Sequence, residues 1–324
     1  MTINYARLKA WPFKDVEQSY TEKDAILYAL ALGYGCDPMD ERQLKFVYEG
    51  NLKTLPTLPV VLGYPGFWMK DSSLGIDWKR IVHGEQSLTL HKLLPTKGTV
   101  VGRTRVITVA DKGTGKGALV ELERTLHDKT SGELLATIGQ ITFCRGDGGF
   151  SELPDNGPRG GDTLSTTKSA PTEGPPYAVC DFITLPQAAL IYRLCADPNP
   201  LHADPAVAKA AGFPRPILHG LATYGVAGHA ILKTFCEYDP ARLKYLGVRF
   251  SAPVFPGETI RVEMWQEGNT IQFRAKAIER DAVVLTNGTA HVTNNPPAKP
   301  GGFICEPLKA ANKQPRGKPR GISK

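Results

Sequence analysis

The C-terminal part of the chain combines one continuous apolar segment with several stretches in which apolar and polar residues alternate. Residues 218–235 are apolar or small almost all the way round a helical wheel, which is typical of a buried helix. The stretches that follow are rich in β-branched residues and mostly alternate with period two, at 245–254, 259–266, 270–279 and 282–293. The pattern predicts an antiparallel sheet that wraps around one helix.

The N-terminal part of the chain repeats this order more loosely. Thr21 and Asp24 form a capping motif at the start of an apolar helical stretch, 21–33. Four strand-like stretches follow, at 87–94, 98–111, 117–128 and 134–146. Because the two parts share a similar order of elements, we predict an α+β fold that arose by duplication and divergence.

A polar segment separates the two parts. Residues 146–176 are rich in Gly, Pro, Ser and Thr and show no periodicity, so we expect a linker there. The predicted halves are then residues 1–145 and 177–295. The remaining residues, 296–324, carry seven Lys or Arg and one Glu and are too rich in Pro and Gly to form a core, so we expect a disordered basic tail.

Charge and composition narrow the classes of function. The chain of 324 residues has a formal net charge of +7, most of which lies in the tail, so we expect no nucleic-acid partner. No apolar run reaches the roughly 18 residues of a membrane span, and the N-terminus shows no secretory signal pattern. The six cysteines form no C-x-x-C pair. We therefore expect a protein that has reduced thiols and no membrane partner. Its expected location is the cytoplasm, with the peroxisomal matrix as the alternative.

The candidate chemistry concentrates in one loop of the C-terminal half, "CADPNPLHADPAVAKAAGFPRPILHG" at 195–220. This loop holds an acid, Asp197, five residues before an imidazole, His202, and the prolines Pro198 and Pro200 stiffen it by fixing φ. A carboxyl group and an imidazole that face one water molecule can activate it as a nucleophile. The N-terminal half contains no such acid–histidine loop.

Neighbouring residues give further local predictions. Asp204, which a proline follows, is typical of a helix start, and Gly212 is typical of the end of that helix. Thr184 is placed to cap an earlier helix. His219 and His229 fall beside or within the buried helix, and we interpret them as packing residues.

The 195–220 loop resembles the signature of the type 2, R-specific enoyl-CoA hydratases of the MaoC-like family. Two shorter motifs, "HGEQ" at 83–86 and "DKGTG" at 111–115, resemble that family's two-part hydratases and lie in the expected order. The resemblance implies a double hot-dog fold, in which each half wraps an antiparallel sheet around a helix. It also implies that the C-terminal half carries the chemistry and that the N-terminal half accommodates the acyl chain.

The resemblance implies which residues act. Asp197 and His202 would be the catalytic pair, with Asn199 orienting the water or its neighbours and the Gly220 N–H binding the oxyanion. The start of a buried helix suits this last role because its N–H groups are free and carry the positive end of the helix dipole. Which of Asp197 and His202 activates the water stays open, since the two could titrate as one unit. The residues implied to contact the acyl-CoA are His83, Gly84, Lys112, Asp197, Pro198, Asn199, Pro200, Leu201, His202, Gly220 and Phe250.

The expected function is reversible hydration of trans-2-enoyl-CoA to (3R)-3-hydroxyacyl-CoA, a hydro-lyase reaction of fatty acyl-CoA metabolism such as β-oxidation. No metal or separate cofactor is implied, because coenzyme A is part of the substrate, and the resemblance implies a homodimer. The alternatives are a branched or steroid side-chain enoyl-CoA as substrate, a hot-dog acyl-CoA thioesterase, and a non-catalytic acyl-CoA-binding module. A nucleophilic role for Cys195 is the weakest interpretation, since a small buried thiol also accounts for it.

Overall fold

The computed structural model describes residues 2–164, 174–195 and 197–293, and the backbone of a short strand at 303–305. Its α-helices are α1 (Tyr5–Lys9), α2 (Glu22–Ala31), α3 (Glu41–Leu44), α4 (Ala188–Tyr192), α5 (Pro205–Ala210) and α6 (Gly220–Phe235). Its β-strands are β1 (Val16–Tyr20), β2 (Ile81–Leu90), β3 (Gly98–Asp111), β4 (Ala118–Asp128), β5 (Leu134–Cys144), β6 (Ala178–Ile183), β7 (Leu243–Phe250), β8 (Thr259–Glu267), β9 (Thr270–Ala277), β10 (Ala282–Val292) and β11 (Phe303–Cys305).

The strands of the described residues form one sheet, in the order β1-β3-β4-β5-β2-β7-β10-β9-β8-β6-β11. Outwards from its centre, the first half is ordered β2-β5-β4-β3-β1 and the second β7-β10-β9-β8-β6, so the two halves have the same strand topology. They join where β2 pairs antiparallel with β7, from Glu85 opposite Arg249 to Thr89 opposite Tyr245. The predicted α+β double hot-dog fold is confirmed, and the duplication is visible strand for strand.

The two halves differ in the helix that covers their sheet. In the C-terminal half α6 runs for 16 residues, most of them buried, and packs against β6, β7, β8 and β10. In the N-terminal half α2 has 10 residues and is followed by α3 and short 3-10 turns such as Leu58–Val61. The N-terminal sheet is therefore covered by shorter segments than the C-terminal one.

Buried apolar side chains form two separate clusters. The larger cluster spans both halves and contains most of α6 together with Leu58 and, from β4, Leu126. The smaller cluster contains Val120 and Leu122 of β4 and lies against α1 and the segment 69–76. Strand β4 thus contributes to both clusters at different points along its length.

The helix caps predicted beside the two helix starts are present. Thr21 and Asp24 form a reciprocal capping box at α2, in which each side chain accepts a hydrogen bond from the backbone N–H of the other residue. Asp204 caps α5 by accepting from the backbone of the first turn, and Gly212 follows the end of that helix with a φ of +87°. Local polar signals were therefore sufficient to place both helices.

The helix cap predicted at Thr184 is wrong. The Thr184 hydroxyl donates to the carbonyl oxygen of Glu258 at 2.8 Å and accepts from the Gly257 N–H at 2.9 Å. Helix α4 begins later, after Gln187, and no side chain caps it. Tertiary partners more than seventy residues away have taken the hydroxyl that the sequence pattern placed at the helix start.

Part of the expected linker packs on the N-terminal half. The Asp162 carboxylate accepts from the Tyr5 hydroxyl at 2.6 Å and from Lys9 Nζ at 2.9 Å. The expectation of a disordered tail falls outside the described residues, apart from 303–305, whose backbone pairs in parallel with residues 178–180 of β6. Within the described residues, no helix combines the length and the apolar character needed to cross a membrane.

Candidate active site

The C-terminal loop brings Asp197 and His202 next to each other. His202 ends a 3-10 turn, Pro200–His202, and its Nε2 lies 3.9 Å from Oδ2 of Asp197. The His202 side chain is 9% exposed, whereas that of Asp197 is 49% exposed. A separation of 3.9 Å is too long for a direct hydrogen bond, but it allows both atoms to bind the same water molecule.

The hydrogen bond on the other side of the His202 ring defines its tautomer. Nδ1 lies 2.9 Å from the carbonyl oxygen of Ile217, and because a carbonyl can only accept, Nδ1 carries the proton. Burial lowers the pKa of His202 below its ordinary value, while the Ile217 carbonyl and the Asp197 charge oppose this effect. The ring is therefore a neutral imidazole whose Nε2 lone pair faces the Asp197 carboxylate.

Asn199 holds the shape of the loop. Its backbone N–H donates to Oδ1 of Asp197 at 2.9 Å, and its side-chain oxygen accepts from the Leu201 N–H at 3.1 Å. The amide oxygen therefore caps the turn that carries His202. Pro200 is the first residue of that turn, where its fixed φ fits and its missing N–H costs nothing, and Pro198 is exposed one position before Asn199.

His219 contacts both members of the pair, which its sequence interpretation as a packing residue did not foresee. Its ring stacks on that of His202 with 3.6 Å between centroids, and its Nε2 donates to the backbone carbonyl of Asp197 at 3.1 Å. It is 3% exposed, and burial, assisted by His202, lowers its pKa to about 3. A neutral His219 therefore supports the loop from behind. The sequence signal was its position directly before Gly220.

Helix α6 starts with its first N–H groups close to this pair. No side chain caps the helix, and the Gly220 N–H makes no hydrogen bond to any residue that the structure describes. A Cβ atom at Gly220 would lie 3.2 Å from the ring of Phe250, so the absence of a side chain keeps this amide accessible. The Phe250 ring in turn meets the His83 ring edge to face at 4.8 Å. The Phe250 ring therefore lies between Gly220 and the His83 ring and contacts both.

The remaining residues predicted in the N-terminal half divide into two groups. His83 donates through Nε2 to the Glu85 carbonyl, and burial lowers its pKa to about 4. Gly84 lies at a bulge in β2, where a Cβ would come within 3.1 Å of the Ile141 carbonyl oxygen, so its backbone position alone favours glycine. Lys112 is exposed in the turn after β3, at the same end of the sheet as His83 but with β5 and β4 between their strands.

Two further N-terminal residues, Tyr64 and Arg124, contact each other and were not predicted from the sequence. Burial raises the pKa of the partly exposed Tyr64 phenol; the charge of Asp197 adds to this shift and that of Arg124 opposes it. The Arg124 guanidinium carbon lies 5.7 Å from the centroid of the Tyr64 ring. The alternation of "ALVELERTLHD" in β4 places Arg124 on the same face as the apolar residues, which was the available signal.

The site also contains three potential metal ligands, and a cysteine, Cys195, lies close to them in sequence. Asp197, His202 and His219 each place one donor atom within 4.8 Å of the others, which makes them a group that could hold an ion within the described part of the chain. Carbonyl oxygens already occupy Nδ1 of His202 and Nε2 of His219, so we favour acid–base chemistry for this group. Burial raises the pKa of the Cys195 thiol to about 12, which removes it as a nucleophile at neutral pH.

Two protein-family models together match both halves of the chain. A model described as "MaoC like domain" matches residues 159–288, and one described as "MFE-2 hydratase 2 N-terminal domain" matches residues 18–146. The chain is 39% identical over 300 residues to "Enoyl-CoA hydratase 2, peroxisomal" of Arabidopsis thaliana, covering 87% of this chain and 94% of that protein. It is 36% identical to "Enoyl-CoA hydratase ChsH3" of Mycobacterium tuberculosis, covering 84% of this chain and 93% of that protein.

A solved structure shares the whole architecture. The MaoC-like dehydratase from Phytophthora capsici is 34% identical with a TM-score of 0.78, and the match covers 91% of this chain and 100% of that one. Both halves of the chain are therefore matched.

Proposed function

Because this chain belongs to the enoyl-CoA hydratase 2 family of two-part MaoC-like proteins, we propose that it hydrates trans-2-enoyl-CoA to (3R)-3-hydroxyacyl-CoA in fatty acyl-CoA metabolism, and catalyses the reverse dehydration. The enzyme class is hydro-lyase. The observation that carries the proposal is the 3.9 Å separation of His202 Nε2 and Asp197 Oδ2 beside a free helix N-terminus.

In the proposed mechanism one water molecule binds between the two side chains. The water donates one proton to the Nε2 lone pair of His202, and its second O–H is oriented by the Asp197 carboxylate. The water oxygen forms a bond to C3 of the enoyl group, and the electron pair of the double bond moves to the thioester as an enolate. The proton taken up by His202 then passes to C2, so that both parts of the water end on the product.

The proposed oxyanion site is the N-terminus of α6. The Gly220 N–H donates to the thioester oxygen, where negative charge develops in the enolate, and the helix dipole adds to its effect. A single donor of this kind lowers a barrier by roughly 3–4 kcal/mol. His219 and Asn199 act as positioning residues, because one fixes the Asp197 carbonyl and the other fixes the turn that carries His202.

The proposed substrate path uses both halves. The C-terminal half, with the loop residues 197–202, Gly220 and Phe250, holds the thioester, and the N-terminal half accommodates the acyl chain and takes no part in the proton transfers. His83 and Gly84 are proposed to contact the acyl-CoA, and the exposed Lys112 is proposed to meet the phosphates of coenzyme A. No metal or separate cofactor is part of this mechanism.

The compartment and the assembly stay predictions. A homodimer of two-part chains is proposed from the family. For the compartment, the name of the Arabidopsis relative supports the peroxisomal matrix, the alternative of the sequence analysis, over the cytoplasm, its first expectation.

The test follows two products of one substrate. Wild-type protein is incubated with crotonyl-CoA while the absorbance of the conjugated enoyl group and the release of free thiol are recorded, and the product is resolved by chiral analysis. We expect loss of the enoyl absorbance without thiol release and a (3R)-3-hydroxy product. Thiol release without a 3-hydroxyacyl product would identify a thioesterase and overturn the proposal.

A further inference from the structure

Arg124 interrupts an apolar row on the inner face of the N-terminal sheet. The residues of β4 alternate, and the inward positions are buried and apolar except for this one; they are Ala118, Val120, Leu122, Arg124 and Leu126. Leu122 belongs to the smaller apolar cluster and Leu126 to the larger one. The arginine thus lies at the point where the two clusters fail to merge.

The guanidinium of Arg124 is buried but poorly paired. The residue is 6% exposed; its Nη2 donates to the Val60 carbonyl at 2.8 Å, and its Nε is buried without a hydrogen-bond partner. None of the ion pairs between described residues includes Arg124, whereas its neighbour Glu123 pairs with Arg105 on the opposite face. Burial lowers the pKa of Arg124 to about 10, which still leaves it protonated at neutral pH.

A buried cation without an anion is costly. Removing an ion from water loses several kcal/mol unless opposite charge or hydrogen bonds compensate, and one carbonyl satisfies only one of the five N–H groups of arginine. The aromatic face of Tyr64 supplies a weak attraction at 5.7 Å. We infer from this arrangement that the anion that pairs with Arg124 is part of a bound ligand.

The position of Arg124 connects it to the proposed active site. The Val60 carbonyl that accepts from Arg124 belongs to a turn whose neighbours Val61 and Leu62 line one cavity together with Leu194 and Cys195. The last two residues lead directly into the loop that carries Asp197. A group bound to Arg124 would therefore lie close to the reacting thioester. In the proposed mechanism the Gly220 N–H binds the thioester oxygen, and the exposed Lys112 meets the coenzyme A phosphates. The acyl chain is therefore the part of the substrate that remains to contact Arg124.

Resting on the hydratase function above, we propose that Arg124 binds a carboxylate carried by the acyl chain, so that the N-terminal half selects enoyl-CoA substrates with an acidic group. A planar guanidinium matches a carboxylate with two parallel hydrogen bonds, and its free Nε offers one of them. The acid would also neutralise a charge that the fold leaves buried. Arg124 is then a specificity residue and takes no part in proton transfer.

The test compares two series of substrates. The value of kcat/KM is measured for trans-2-enoyl-CoA thioesters from hexenoyl to dodecenoyl and for their ω-carboxylated counterparts. Because a hydrogen bond to a charged group contributes more than a neutral one, we expect wild-type protein to prefer the carboxylated chain by about tenfold at one or more lengths. In Arg124→Met, which keeps the length of the side chain, the ratio of the two values is expected to fall close to one.

Controls separate recognition from folding. Arg105→Met removes an exposed arginine from the neighbouring strand and is expected to preserve the wild-type ratio. Arg124→Lys keeps the charge and covers the case in which the Met variant does not fold; it is expected to retain part of the preference. Wild-type preference for methyl-terminated chains at every length overturns the inference, as does an equal loss on both series in Arg124→Met. Since wild-type hydration of crotonyl-CoA tests the proposed function separately, the two can fail independently.

Discussion

The imidazole of His219 stacks on that of His202 at 3.6 Å and donates through Nε2 to the backbone carbonyl of Asp197 at 3.1 Å. One buried side chain therefore fixes both the ring and the backbone of the proposed catalytic pair. Replacement by phenylalanine keeps a stacked ring and removes the hydrogen bond. Because such a bond contributes about 1 kcal/mol, we expect His219→Phe to lower kcat by about fivefold with little change in KM.

The matched control for this variant is His229, which lies within α6, whereas His219 is the residue before its first turn. His229 is 2% exposed, with Nε2 3.2 Å from the Tyr238 hydroxyl, and it has no contact with the catalytic loop among the described residues. His229→Phe is expected to lower the melting temperature and leave kcat unchanged. If the two variants change Tm and kcat in the same proportion, His219 is a packing residue, as the sequence suggested, and the positioning role is refuted.

The start of α6 is expected to be sensitive to a single methyl group. In Gly220→Ala the new Cβ would lie 3.2 Å from the Phe250 ring, tighter than an ordinary van der Waals contact, and would itself occupy space beside the helix N-terminus. Since the N–H donor remains but its access is narrowed, we expect kcat/KM to fall by at least about tenfold, less than for loss of a donor. Circular dichroism and steady-state kinetics on the same sample check this.

A glycine deeper in the same helix serves as the comparison. In Gly225→Ala the Cβ would approach the end of the Leu32 side chain at 2.6 Å, in the apolar core and away from the loop. We expect this variant to be less stable and to keep its turnover. Wild-type activity in Gly220→Ala would contradict the oxyanion assignment.

The pH dependence of turnover depends on the neutral form of His202. Burial lowers its pKa below the ordinary value of 6.5, so the Nε2 lone pair survives to lower pH than in a free histidine. We therefore expect the acid limb of kcat/KM to have its midpoint below pH 6.5. A midpoint at or above that pH, measured with crotonyl-CoA at constant ionic strength, would show that the pKa of His202 is not lowered, and turnover that rises as pH falls would show that its protonated form is the active one.

Stability is expected to fall in mild acid for a related reason. Burial lowers the pKa of both His219 and His229 to about 3, so these rings stay neutral in the folded state while the unfolded chain takes up protons below pH 6.5. Stability is then complete above that pH and declines as pH falls toward 3. Between pH 7 and 5.5 the two together account for a loss of about 2.5 kcal/mol in the free energy of unfolding.

Urea unfolding at the two pH values measures this change. The decline should be smaller in His229→Phe, which removes one of the two groups. An unfolding free energy that stays constant from pH 7 to 5.5 in the wild type would mean that these histidines are protonated in the folded protein.

Local signals were enough to predict the parts of the fold that depend on neighbours in sequence. The capping box of Thr21 and Asp24, the cap at Asp204 and the apolar run of α6 each involve residues within a few positions, and all are present. Thr184 looked equally like a cap, but its hydroxyl bonds to Glu258 across the sheet. A pattern of residues that are adjacent in sequence gives no information about a hydrogen-bond partner so far away in the chain.

The sequence predicted candidate residues in both halves, including His83 in the N-terminal one, but not Tyr64 and Arg124. Asp197 and His202 are five residues apart on one stiff loop, so their proximity followed from sequence. Tyr64 and Arg124 lie in the other half, which the pairing of β2 with β7 and the contact of α2 with α4 join to the half that carries the loop. The alternation in β4 pointed Arg124 inward, but sequence gave no reason to expect a buried cation without an acid.

The central claim is that Asp197 and His202 share one water molecule that adds to the substrate. The most direct measurement is the turnover of crotonyl-CoA by Asp197→Asn and His202→Ala, together with calorimetric binding of the same thioester. Asp204→Asn, which keeps an oxygen able to cap α5, is the control from the same loop. We predict a loss of about 10²–10⁴-fold in kcat for the first two variants with binding retained, and unchanged turnover in the control. Full turnover in either Asp197→Asn or His202→Ala would contradict the account.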